Sequence, residues 1–343
     1  MTTDQTDGLS RRTFLGAGGA IALGGSASAQ GSTELDRLVA AAHNEGEVLF
    51  YCAQVDAVGK RVSDAFTKKY GVKCQHLRLS SSPLQQRFAA EAEAGKIAAD
   101  LLLNGGNTAG FSAEGLKNGW IEPIRKAGIP AVSSTEFPAK YISDGAAMVM
   151  ITPWLIMYNT DKVKQSAAPK DWKELLDPRF KGQIIINEPN VAPGYFDFWC
   201  AIIDNLGPDY MTALRAQNLR VFNDGVAASQ SLAAGEGSFF IPTVASVVGQ
   251  LAIKGAPVDM VTPALTTGSE FSVLLPTLSK IKHPNAGRLL AHYLMTEEGN
   301  KVLNADPGAI SVFDPSGLPA QYKSPAPNTI ARRDEVRAAL GLK

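Results

Sequence analysis

The sequence predicts an α/β protein of two lobes, each built on a mostly parallel sheet flanked by helices. Three observations carry that prediction. Short apolar runs alternate with segments of helical period, in β-α-β-α-β order. The alternation occurs twice, over residues 47–118 and again within 148–261. Long strand-like runs join the two sections where a Gly/Ser-rich linker would otherwise stand, and no internal repeat stands out.

Residues 1–29 precede the first element and read as an address. Arg11 and Arg12 are followed by Phe14, then by an apolar, glycine-rich run that ends at Ala27-Ser28-Ala29. Charge pair, apolar core and small-residue exit come in the order of a twin-arginine export signal. The run 15–23 is too short to span a bilayer as a permanent helix. Cleavage is expected near Gln30, giving a protein of the periplasm, and position 30 is not the Cys that a lipid anchor would need.

The first section begins with the strand-like run 47–53 (EVLFYCA). Val58, Val62, Ala65, Phe66 and Tyr70 follow at helical spacing, and Gly71 is placed to end that helix in the left-handed conformation. Residues 72–79 read as the next strand. Ser82, Pro83 and Gln85 form a helix start, with Ser82 as N-cap. Residues 99–103 are a third strand, closed by Asn104-Gly105-Gly106-Asn107 and a helix to about Asn118.

The second section repeats the pattern. Residues 148–159 read as one long strand, 182–186 as a strand, and 194–206 as a helix rich in aromatics. Strand and helix then alternate at 221–223, 226–234, 239–242 and 244–254, before 258–261 leads out. Two helices, at 284–295 and 297–304, come late. The expected division is a signal at 1–29, one lobe from 30–147 with 262–315, and a second from 148–261 with 316–343.

Composition narrows the function. The chain has 343 residues, enough for two cores, and 33 basic residues balance 33 acidic ones. No basic run invites nucleic acid, and beyond the signal no apolar stretch reaches membrane length. Cys52, Cys74 and Cys200 show no metal-ligand spacing and are expected as buried thiols with at most one bridge. His43, His76, His283 and His292 are scattered, so neither a metal site nor a cofactor is indicated. There is no G-x-S-x-G elbow, H-E-x-x-H pair or Walker loop, and the glycines at 16–19 fall within the signal.

One segment carries a family likeness. Residues 171–182, DWKELLDPRFKG, resemble the W-x-D-L-x-D-P-x-W/F-K-G segment of periplasmic solute-binding proteins of ABC importers. Met157-Tyr158-Asn159-Thr160 is similar to their hinge segment. Lys282-His283-Pro284-Asn285-Ala286, with Met295-Thr296-Glu297-Glu298-Gly299, is similar to their closing segment. The likeness is nearest the ferric, sugar-phosphate and phosphonate branch. It implies the two-lobed type II periplasmic-binding-protein fold, a small-molecule ligand, delivery to a membrane permease, and no chemistry. Ferric-binding members carry a Tyr-Tyr pair where this chain has Thr243-Val244-Ala245-Ser246-Val247, and no such pair occurs elsewhere. Iron, a hard cation wanting several anionic ligands, is therefore disfavoured: a polyol or sugar is the next ligand reading after a small organic anion, and a ferric-binding transport protein comes after that.

In open α/β sheets the ligand site lies beyond the carboxyl ends of the strands. Reading those ends gives Gln54, Ser80 and Ser81, Asn104 and Asn107 from the first lobe. The second lobe offers Asn190, Tyr195, Asn223, Asp224 and Thr243. Amides and hydroxyls beside helix N-termini suit a small organic anion, because exposed N–H groups and the helix dipole favour negative charge there. Most of these residues also have structural uses: Asn104 and Asn107 in a glycine turn, Asp224 as a cap, Trp154, Phe196 and Trp199 as core. Arg78 lies on a strand near Ser80 and could pair a ligand carboxylate or a protein acid, with a solvated or structural role the safer reading. The expected protein is a monomeric receptor for an importer. A solute sensor for a membrane receptor and an exported enzyme on the same fold are the other readings.

Overall fold

The computed structural model describes residues 33–342; the export signal read at 1–29 lies outside them. Helix α1 (Glu34–Glu45) opens with a capping box, in which Thr33 and Asp36 each bond the other's backbone N–H. Then come β1 (Glu47–Cys52), α2 (Asp56–Tyr70), β2 (Lys73–Arg78), α3 (Ser81–Glu93), β3 (Leu101–Gly105), α4 (Thr108–Lys117) and the single turn α5 (Pro130–Ser133). Gly71 ends α2 at φ 69°, where a side chain would be strained. The helix expected to be capped by Ser82 starts two residues earlier, at Ser81, with Ser80 at its cap.

The expected single strand over 148–159 is two strands. β4 (Ala147–Pro153) pairs in one sheet and β5 (Leu155–Asn159) in another, with Trp154 between them. The break has a local cause. Pro153 has no N–H to extend the ladder, and Trp154 makes its own bonds to the returning chain: its N–H donates to Thr267 O, and Thr266 donates to its carbonyl. A strand-like hydropathy pattern does not register such a change of sheet.

The second section holds β6 (Ile184–Asn187), α6 (Pro193–Arg215), β7 (Arg220–Phe222), α7 (Gly225–Ala233), β8 (Phe239–Thr243), α8 (Ala245–Ile253) and β9 (Val258–Val261). α6 is longer than the expected 194–206 because the chain resumes helix after a kink at Gly207 and Pro208. The chain returns through β10 (Leu265–Thr266) to β11 (Gly268–Leu274). It ends with α9 (Pro284–Leu294), α10 (Glu297–Leu303), β12 (Ile310–Ser311), β13 (Gln321–Tyr322) and α11 (Arg333–Leu340).

Two sheets result, with strand orders β12-β4-β11-β3-β1-β2 and β7-β6-β8-β5-β9. The run β2-β1-β3 is parallel, and so is β7-β6-β8, while the crossing strands are antiparallel. Helices cover both faces of each sheet, giving two cores per lobe. Phe50, Phe66 and Leu289 centre one face of the first sheet, and Leu84, Phe88 and Leu102 the other. Trp172, Phe198 and Trp199 centre one face of the second, and Leu232 and Phe240 the other. Each such fully buried aliphatic or Phe side chain contributes about 1.5–3 kcal/mol relative to exposure. The chain thus has the two-lobed fold its sequence predicts.

Buried polar groups tie the first lobe together. Asp100, fully buried, accepts from Leu49 N at 2.9 Å and binds the His283 ring at 2.9 Å, joining α9 to the sheet. Cys52, Cys74 and Cys200 are free thiols, and burial pushes each up to about 12. Among the described residues, no helix is long and apolar enough to cross a membrane.

Candidate ligand-binding cleft

Parallel strands bring their carboxyl ends, and the N-termini of the helices that follow, to one edge of each sheet. In the first lobe these are the starts of α2, α3 and α4; in the second, those of α6, α7 and α8. Their caps are Val55, Ser80, Asn107, Ala192 and Val244, none of which makes a side-chain cap bond, and Asp224, which does. Five of six helices therefore present backbone N–H groups free of a side-chain cap, a setting that favours an anion.

The two edges meet. A Cβ on Gly106, after β3, would lie 3.0 Å from the backbone nitrogen of Gly194 and 3.3 Å from Pro193 at the start of α6. A Cβ on Gly308 would lie 2.3 Å from Ala245 Cβ at the start of α8. A polar and aromatic group adjoins the first of these contacts, where a Cβ on Gly194 would lie 3.0 Å from the Trp154 ring. Trp154 stacks on Tyr195, centroids 5.4 Å apart. The Tyr195 hydroxyl accepts from Asn187 Nδ2 at 2.6 Å, and Gly225 packs against both. Burial pushes the Tyr195 phenol up to about 12, so it stays a hydrogen-bond donor at neutral pH.

The expected site residues separate into groups. Tyr195 and the 104–107 turn stand where the lobes meet. Ser80 and Ser81 are half-buried at the start of α3, the Ser80 hydroxyl unused for capping. Arg78, two residues before, is exposed and forms no ion pair among the described residues. Thr243 is buried in the second sheet opposite Leu155.

Others are engaged in structure. Asn104 is fully buried, receives Gln85 Nε2 at 3.2 Å and donates to Thr108 at 3.1 Å, which holds the turn. Asn107 takes φ 47°, the left-handed conformation Asn tolerates. Gln54 is buried, its amide on Met150 Sδ. Asn190 is exposed and donates to Glu188, itself paired with Arg337. The Asp224 carboxylate accepts from Ala227 N at 2.7 Å as the α7 cap, and Asn223 beside it is exposed.

Two residues escaped the sequence reading. Asn187 is fully buried at the end of β6, and its Oδ1 has no hydrogen-bond partner among the described residues. An amide closing the run Ile184–Asn187 (IIIN) is a strand-end signal of the kind that singled out Asn104. Asp197, on the second turn of α6, is buried and accepts from the Thr329 hydroxyl. Nothing in the sequence marks it. Among the described residues, no three His, Cys, Asp or Glu side chains are grouped as a metal ion would need.

Two sheets with facing helix N-termini, joined by crossing strands, define a solute-binding protein of the two-lobed class. The chain belongs to the bacterial extracellular solute-binding proteins, whose family model matches residues 98–304. A protein of Haemophilus influenzae, itself uncharacterised, is 26% identical over 270 residues, covering 76% of each chain. Among solved structures, the substrate-binding protein of an ABC transporter from Agrobacterium tumefaciens matches with TM-score 0.71 at 16% identity, over 86% of this chain and 95% of that one. AfuA of Actinobacillus pleuropneumoniae, solved with fructose-6-phosphate, matches with TM-score 0.64 at 18% identity, over 86% and 97%. Iron-bound HitA of Pseudomonas aeruginosa matches with TM-score 0.64 at 15% identity, over 86% and 98%. At these identities the likeness is one of fold.

Proposed function

We propose that this chain is the periplasmic receptor of an ABC importer, exported by the twin-arginine route. It binds a small organic anion between its lobes and presents it to a membrane permease. The observation that carries the anion reading is the set of five helix N-termini without side-chain caps on facing edges, with Arg78, which forms no ion pair among the described residues, two residues before the cap of α3. Neutral donors with one cation hold an anion without the irreversible grip of many charges, as transport requires.

Closure follows from division of the contacts. Ser80, Ser81 and Arg78 belong to one lobe; Asn187, Tyr195 and the start of α6 belong to the other. A ligand touching both binds the closed form better, and moving the equilibrium from about 1:99 to 99:1 takes roughly 5.5 kcal/mol of differential affinity.

No chemistry is proposed. The grouping Ser63, His76 and Asp56 has the residue types of a nucleophilic triad, with 3.4 Å and 2.9 Å between successive side chains. Yet Ser63 is buried in α2 and donates its proton to Gly59 O at 2.9 Å. That hydroxyl is bound within the helix and faces no substrate.

The test is mass spectrometry of the small molecule that copurifies, followed by thermal shift with it. A specific ligand raises the melting temperature by mass action. Recovery of a neutral sugar, or visible colour with ferric salts, would overturn the anion reading; turnover of the recovered solute would overturn the receptor reading.

A further inference from the structure

We propose that Asp197 is a proton-linked latch between the lobes, and that protonating it favours the closed form. The proposal rests on the reading of the chain as a two-lobed receptor and concerns an interlobe cavity whose lining includes none of Arg78, Ser80, Ser81, Asn187 and Tyr195.

Asp197 projects from α6 of the second lobe and is only 3% exposed. Its carboxylate accepts from Thr329 within its own lobe, and the backbone N–H of Asn107, from the first lobe, also stabilises its charge. It lines a cavity of about 370 Å³ whose walls come from both lobes: Thr108, Tyr141, Ser143 and Ser272 on one side, Pro327 and Asn328 on the other.

The charges around this cavity do not balance Asp197. Glu270 of β11, in the first lobe, lines the same cavity, its carboxylate accepting from Tyr322 of β13 at 2.9 Å. Lys140 is exposed at the rim, its ammonium over the Tyr141 ring. On the α6 side stand the neutral thiol of Cys200 and Arg333 of α11, whose guanidinium lies over Phe196. Closing the lobes therefore brings two carboxylates, one per lobe, to a shared low-dielectric space.

Burial first, and Glu270 second, push Asp197 from 3.8 up to about 6, against the pull of Thr329 and Asn107; burial raises Glu270 as well. Separating the lobes admits water and removes both Glu270 and the opposing, smaller pull of the Asn107 N–H, so the open form holds the proton less tightly. The sign follows. Below about pH 6 the closed form gains a proton that the open form gives up, and closure is favoured. As pH rises through that value, Asp197 ionises and the closed form loses ground. The full shift would change the closing equilibrium about a hundredfold. Because Thr329 and much of the burial stay with Asp197 on opening, a change of roughly tenfold is expected.

Small-angle scattering of ligand-stripped protein between pH 5 and pH 8 reads this directly. Wild type should be more compact at pH 5, with a midpoint near 6, and Asp197→Asn should be compact throughout. A wild-type radius constant over that range, or a pH dependence kept in Asp197→Asn, overturns the latch. If Asp197→Asn does not fold, Glu270→Gln decides: a lowered midpoint supports the proposal and an unchanged one overturns it. The receptor reading fails by a different result, the absence of any bound solute or solute-driven compaction at every pH.

Discussion

Trp154 lies on Tyr195 with an interplanar angle of 29°, although the first belongs to the crossing between the sheets and the second to the first turn of α6. The stack joins the crossing between the two sheets to the start of α6. A Cβ on Gly194, between them, would sit 3.0 Å from the Trp154 ring, so a larger residue there would press on the stack.

Removing the Tyr195 hydroxyl should weaken both the fold and the binding. In Tyr195→Phe the buried Asn187 amide loses its one hydrogen-bond partner, a loss of about 1–3 kcal/mol for such a group. Urea denaturation should show the midpoint fall with unchanged slope. Calorimetry with the copurified ligand should show weaker affinity, and unchanged affinity would remove Tyr195 from the site.

Gly106→Val should hold the lobes apart. Its Cβ meets the start of α6, and φ 71° adds backbone strain. Gly119→Ala is the control: φ 65° with nothing near its Cβ, so it carries the strain of about 1–2 kcal/mol without the collision. Ligand-saturated scattering should give a larger radius for Gly106→Val only.

Arg78→Gln should cost roughly tenfold in affinity for the anion, about 1.4 kcal/mol. Because Arg78 is exposed, the wild-type advantage should shrink with added salt as the Debye length shortens. Equal affinities at low salt would remove Arg78 from the ligand.

Stability should carry a histidine signature in acid. Burial lowers the His292 imidazole from 6.5 to about 4, and its Nδ1 accepts the Ala131 N–H at 3.1 Å. The unfolded chain then binds the extra proton between pH 6.5 and 4. The stabilisation is complete above 6.5 and falls as pH drops towards 4, by at most about 3 kcal/mol. Asp197, raised to about 6, acts in the opposite direction. The comparison of wild type with His292→Gln across that range isolates the histidine, and identical slopes would contradict it.

Much of the fold was legible because its signals are local. Hydropathy period, Gly71 and the Ser-Pro start of α3 each report on a few neighbouring residues. The candidate site was legible only as an edge: strand ends named Tyr195, Ser80 and Ser81, which stay candidates, alongside Asn190 and Asp224, whose polar groups serve a corner and a cap. Asn187 was hidden by its brevity, one polar letter after three isoleucines, and Asp197 by looking like any polar residue in an amphipathic helix.

The sequence by itself determined the class of the protein, its two α/β sections and the direction in which their strands point, since these depend on periodicity and chain order. Tertiary structure decided where the chain changes sheet at Trp154, which buried amides keep an oxygen unpaired among the described residues, and that Gly106 touches Gly194 and Asp197 shares a cavity with Glu270. Those facts depend on contacts between residues distant in the chain, whose spacing is set by packing and leaves no local pattern.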